Sequence, residues 1–206
     1  MARNPHQIGA ARPCRQKLAR ISEKPSQAIA ALDFFTVPTI AFRLLYCFFV
    51  IDHGRRTILH FNVTAHPTAE WTAQQLREAF PFEQIPRYLL RDRDAIFGDT
   101  FTQQVEEMGI KEVLSAPRSP WQRAYVERVI GSIRRECLDH VIVFGETSLR
   151  QILCCYFSYY HQTRPHLALE KDSPEPRSIQ RPEQGPVVAF RQVGGLHHRY
   201  ERRAVA

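Results

Sequence analysis

Three acidic side chains, Asp33, Asp92 and Glu127, carry the chemistry that this sequence can do. Asp33 stands in the middle of an apolar run, AIAALDFFTV. A carboxylate there is costly unless it is paired or binds a metal. Asp92 follows RYLL and Arg91, at the carboxyl end of an expected strand, where sites gather in open α/β sheets. Glu127 lies on an expected helix, off its apolar stripe. Three carboxylates around one pocket repel one another unless a cation neutralises them, and hard oxygen ligands select Mg²⁺ or Mn²⁺. Each acid taken alone has a plainer reading. Asp33 then sits at a strand end facing water, and Glu127 on a solvated charged face.

The elements that must position these acids follow from pattern. AIAALDFFTV, LLYCFFVID and TILHFNVTA read as three strands of an antiparallel meander, with His53–Arg56 as the second turn. Residues 67–80 are amphipathic and predict a helix, although neither Thr64 nor His66 is a good capping residue. RYLL predicts a fourth strand. Thr100–Met108 predicts a helix ended by Gly109, and Ile110–Leu114 a fifth strand. In the Glu127 helix Tyr125, Val129, Ile133 and Cys137 recur at fours, with Ser119 and Pro120 suited to its start. Thr147–Gln162 predicts a last long helix, and the proline-rich text beyond it reads as irregular, ending in a small β element or a mobile tail.

The net charge of +7 and a pI near 9.4 favour a polyanionic partner, nucleic acid before an anionic membrane surface. The apolar run Leu44–Ile51 is too short to span a bilayer, so no membrane role is expected. Five cysteines without a CxxC pair predict reduced thiols rather than a disulfide framework or a zinc site. Adjacent His197 and His198 read as surface histidines.

Asp33, Asp92 and Glu127, with PRSPWQRAYVERVIGSIRREC and FSYYHQTRPHLAL around the last acid, resemble the catalytic core of the DDE integrase/transposase superfamily. That superfamily includes bacterial insertion-sequence transposases and retroviral integrases. The likeness covers roughly Ala28 to Leu169. It implies an α/β fold of the ribonuclease H-like kind, a mixed five-stranded sheet flanked by helices. It implies that Asp33, Asp92 and Glu127 bind two Mg²⁺ or Mn²⁺ ions for DNA cleavage and strand transfer during integration or transposition. Arg118, Arg123, Arg128, Arg134 and Arg135 then line the DNA side. The implied partners are DNA (element ends and target), further copies of the chain on that DNA, and a separate N-terminal DNA-binding polypeptide. The implied location is the bacterial cytoplasm, at the nucleoid.

The resemblance has departures. The superfamily commonly has asparagine four positions before the glutamate, where this chain has Arg123. A guanidinium neither accepts a hydrogen bond nor ligates a metal, so Arg123 either contacts a DNA phosphate or disturbs the site. Asp94 rivals Asp92, which is preferred for its place at the strand end; Asp94 and Asp99 otherwise read as loop and helix-cap acids. Such transposases usually carry helix-turn-helix segments ahead of the core, and here residues 1–27 are a basic leader. The expected organisation is that leader, a core over 28–169 and a proline-rich tail over 170–206. The rival readings are an inactive DNA-binding remnant and a ribonuclease H-like nuclease without strand transfer.

Overall fold

The computed structural model describes residues 29–81, 85–115 and 124–204. Strand β1 (Ile29–Pro38) is the run that carries Asp33. It turns into β2 (Leu44–Asp52), and β2 into β3 (Ile58–Thr64), each antiparallel to the one before. Helix α1 (Ala69–Ala79) crosses over, and β4 (Tyr88–Arg91) pairs parallel with β1. Helix α2 (Asp99–Glu107) crosses again, and β5 (Lys111–Leu114) pairs parallel with β4. The strand order is β3-β2-β1-β4-β5, so the expected mixed five-stranded sheet is present. Helices α3 (Ala124–Glu136) and α4 (Glu146–Gln162) follow.

Side chains alternate across β1. Ala31, Phe35 and Val37 pack with Val126, Val129 and Ile133 of α3 and Leu149 and Leu153 of α4. Ala30 and Leu32 face the other way, toward Leu76 of α1 and Phe101 of α2. Both faces of the sheet are covered, and so its central strands read as unbroken apolar runs rather than as alternating ones. Phe48, Phe49 and Val50 are all fully buried.

Local chemistry sets the element ends. The α1 cap is Thr68, whose hydroxyl accepts the Trp71 N–H at 3.1 Å. Thr68→Ala is expected to cost about 1 kcal/mol. A lower urea midpoint with an unchanged slope would report it. Gly109 (φ 69°) follows α2, as expected of a residue past a helix end.

Beyond α4 the chain forms a hairpin of β6 (Val187–Gln192) and β7 (His197–Arg202). Of the two readings of the tail, the structure gives the small β element. Its anchor is His197. The ring stacks on Tyr159 of α4 with centroids 4.3 Å apart, and Nε2 donates to the Glu136 carbonyl at 2.7 Å. At Gly185 (φ 111°) an added Cβ would lie 2.2 Å from the Arg203 carbonyl oxygen, so that approach admits glycine alone. Cys47, Cys137 and Cys155 are free thiols, but Cys154 is disulfide-bonded, which corrects the expectation of reduced thiols at that position. Among the described residues no helix is long and apolar enough to cross a membrane.

Candidate active site

Asp33 sits inside a strand, only 6% exposed. It shares parity with Ala31 and Phe35, which places it on the sheet face covered by α3 and α4. One carboxylate oxygen accepts the Phe34 N–H at 2.8 Å. The parallel register pairs Ala31 with Leu90. Asp92 follows two residues after Leu90, just beyond the end of β4. Leu90 packs into the α3–α4 core, and Asp92 shares its parity. The intervening Arg91 points the other way, over Phe97 and Phe101, and pairs with Glu112 at 2.5 Å. β4 stops at Arg91, level with the middle of β1, while β1 runs on to Pro38, and this leaves a step past the carboxyl end of β4. Ligand sites of open α/β sheets favour such positions.

Asp94, the rival to Asp92, caps the short 3₁₀ turn Ala95–Phe97 by accepting the Ile96 N–H at 3.1 Å. Asp99 opens α2. Asp92 is half-buried, and its carboxylate accepts the Asp94 N–H at 3.1 Å.

Glu127 lies in the first turn of α3, exposed, beside the buried Val126 and Val129. Two contacts fix the helix over β1. Near its start, Tyr125 packs edge-on against His53 in the β2–β3 turn, with centroids 4.2 Å apart. Near its end, Arg134 donates to the Thr36 carbonyl at 3.2 Å. Glu127 and Arg134 are seven residues apart and so share a helix face. Arg134 sets that face beside Thr36 of β1. Arg128, Arg134 and Arg135 are exposed on α3. Arg118, Arg123, Ser119 and Pro120 lie outside the described residues.

The donor set is all carboxylate oxygen on one side of the sheet, which suits a hard divalent cation. Among the described residues no group of three or more His, Cys, Asp or Glu is gathered closely enough to hold a metal ion. Asp33 lies within β1, Asp92 directly after β4, and Glu127 in the first turn of α3.

Sequence reading missed the clasp that holds α3 against α4. Arg164 donates to both Glu136 oxygens, at 2.7 and 2.6 Å, and to Ser132 at 3.3 Å. The Tyr156 hydroxyl donates to the same carboxylate at 2.9 Å. Burial works to raise the Glu136 carboxyl, but the Arg164 hydrogen bonds and charge, with the Tyr156 hydroxyl, outweigh it and hold it below the usual range. The available signal was the arginine in QTRPH, twenty-eight residues after Glu136.

His161, just before this motif, and His166, at its end, are held neutral. The His161 Nε2 accepts the Ile58 N–H at 2.9 Å, which anchors β3. Burial, then the neighbouring His166, push its pKa down to about 4. Burial, then Arg164 and Arg56, do the same to His166, also to about 4. Both values lie below the ordinary 6.5, so the unfolded chain binds more protons between those limits. Stability is therefore complete above about pH 6.5 and lost as pH falls toward 4. His161 alone contributes at most about 3 kcal/mol to that loss. Urea midpoints should fall from pH 7.5 to pH 5, and equal midpoints would contradict a neutral His161.

With this geometry in view, likeness to known proteins becomes specific. The integrase core domain family matches residues 108–174, from the end of α2 through α3 and α4. An insertion element IS476 uncharacterized 39.2 kDa protein of Xanthomonas euvesicatoria is 25% identical over 158 residues. That match takes in 76% of this chain and 46% of the relative, so the chain spans about half the length of the curated protein it matches. Among solved structures, a chain of the simian T-cell lymphotropic virus intasome, in complex with PP2A regulatory subunit B56 gamma, aligns with a TM-score of 0.59 at 16% identity. The alignment covers 88% of this chain and 68% of that one. The HTLV-2 integrase catalytic core domain, in complex with magnesium, aligns with a TM-score of 0.55 at 14% identity, over 73% of this chain and 94% of that one. The fold is the ribonuclease H-like fold of integrase catalytic cores. The resemblance to the DDE integrase/transposase superfamily holds in family model, insertion-element relative and fold alike.

Proposed function

We propose that the chain is a DDE-type polynucleotidyl transferase core that cuts DNA and joins 3′-hydroxyl ends to target phosphodiesters. What supports this reading is the parallel register of β1 and β4: carried two residues past its last pair, Ala31 with Leu90, it would bring Asp92 beside Asp33. Asp33, Asp92 and Glu127 would hold two Mg²⁺ or Mn²⁺ ions. Bound there, such ions supply Lewis acidity at the phosphoryl group and at the attacking oxygen. Asp33, inside a strand, and Asp92, at the end of one, fix the position of the scissile phosphate. Glu127 reaches it from the helix. Arg128, Arg134 and Arg135 take neighbouring phosphates, joined by Arg118 and Arg123. Phosphate contacts position DNA without reading its sequence, so affinity should fall steeply with salt. In the transfer the attacking 3′-hydroxyl gives up its proton as its oxygen bonds to phosphorus, the target's P–O3′ bond breaks, and the displaced 3′-oxygen takes up a proton.

Residues 28–169 are the catalytic unit in this reading. Copies of the chain assemble on DNA, a separate polypeptide supplies end recognition, and the work is done in the bacterial cytoplasm at the nucleoid. Incubation with labelled oligonucleotide and plasmid in Mg²⁺ or Mn²⁺ tests the reaction class. Joined product supports a transferase. Nicks without joining point to a nuclease, and DNA binding without either points to an inactive remnant.

A further inference from the structure

On the side of α3 away from Glu127 lies a cavity of about 460 Å³, within the rough range of 300–1,000 Å³ found for small-ligand sites. Tyr125, Arg128 and Ser132 line it from α3, at the three- and four-residue spacing of one helix stripe. Glu127, two positions past Tyr125, is turned about 200° around the helix from it. Arg56 lines the cavity from the β2–β3 turn, and Arg164 and His166 from the segment after α4.

The charges in this cavity do not balance. Arg164 is matched by Glu136. Arg56 lies over the Tyr125 ring, 4.8 Å from its centroid, and neither it nor Arg128 has an ion pair among the described residues. No carboxylate is among the described residues lining the cavity. His166 is 5% exposed. Its Nδ1 accepts from Arg164 at 3.3 Å, which leaves the proton on Nε2. That buried Nε2 has no hydrogen-bond partner among the described residues. The Tyr160 carbonyl is near enough to favour a proton on the ring but makes no hydrogen bond with it. The Ser132 hydroxyl accepts from Arg164 and keeps its own proton to donate. Two uncompensated guanidiniums, a buried N–H and a hydroxyl make a donor set without an acceptor, and buried donors call for one.

We propose that this cavity binds a phosphate group of the DNA backbone; the choice of DNA rests on the function proposed above. An α-helix is about 10–12 Å across, so this phosphate would lie a few nucleotides from the one at Glu127. A strand would then straddle the start of α3, held on both flanks.

The test uses the full chain labelled with ¹⁵N-histidine and no divalent metal. It is titrated with a single-stranded 12-mer and, separately, with inorganic phosphate. The His166 Nε2 resonance should shift with the oligonucleotide, and with phosphate only at far higher concentration. The Arg56→Gln/Arg128→Gln variant should lose that shift and bind DNA about tenfold more weakly, with a log–log salt slope lower by about one to two. Arg77→Gln, a charge change on α1, should leave the His166 shift intact. Equal response to phosphate and oligonucleotide would overturn DNA as the ligand. No response to either would overturn the site. Metal-dependent nicking by a chain whose His166 stays silent would sink this inference alone. A responding His166 in a chain that never nicks would sink the catalytic reading alone.

Discussion

Glu127→Gln is expected to lower metal-dependent DNA cutting by about a thousandfold or more, which is about 4 kcal/mol of barrier. DNA affinity and thermal unfolding should stay as they are. The side chain is exposed in the first turn of α3 and is not part of the buried stripe of Val126, Val129 and Ile133. Glutamine keeps its size and removes its charge, so a lost metal ligand is the main change. Single-turnover nicking, with an unfolding curve beside it, reads both halves of the expectation. Asp33→Asn should differ, because its carboxylate is buried within β1 and supports the Phe34 N–H. There activity and stability should both respond.

Arg164→Ala should cost about 3 kcal/mol of stability, near the lower end for breaking a buried pair because both side chains keep some water contact. It leaves the half-buried Glu136 carboxylate with only the Tyr156 hydroxyl of its side-chain donors. It also removes the bridge between α3 and the segment after α4. Arg164→Lys should recover little, since an ammonium cannot reproduce the two-pronged contact. A double-mutant cycle with Glu136→Gln reads the coupling. Near-additive losses would show that the clasp carries little. The variant should also cut DNA more slowly, because α3 carries Glu127.

The sequence made much of this legible, for physical reasons that differ by element. The apolar runs of β1 and β2 are long and covered on both faces, so their strands stood out, and Asp33 stood out against them. The positions of Asp92 after a strand and of Glu127 off a helix stripe were both legible; their role is the proposal made above. The Thr68 cap was overlooked because capping is decided by one side chain's reach to Trp71 N–H. Arg164 and Glu136 were overlooked because their contact joins residues far apart in sequence, which no periodicity marks. The same holds for His197, read as a surface histidine, which seats the C-terminal hairpin on Tyr159.

The central claim is that these carboxylates hold divalent metal for DNA chemistry. Its most direct test is nicking of DNA by the purified chain across a Mg²⁺ and Mn²⁺ titration, beside its Asp92→Ala variant. The account predicts metal-dependent nicks from the chain and none from the variant, with both binding DNA. Equal nicking by the two would contradict the assignment of Asp92, and DNA binding without nicking by either would contradict a working catalytic core.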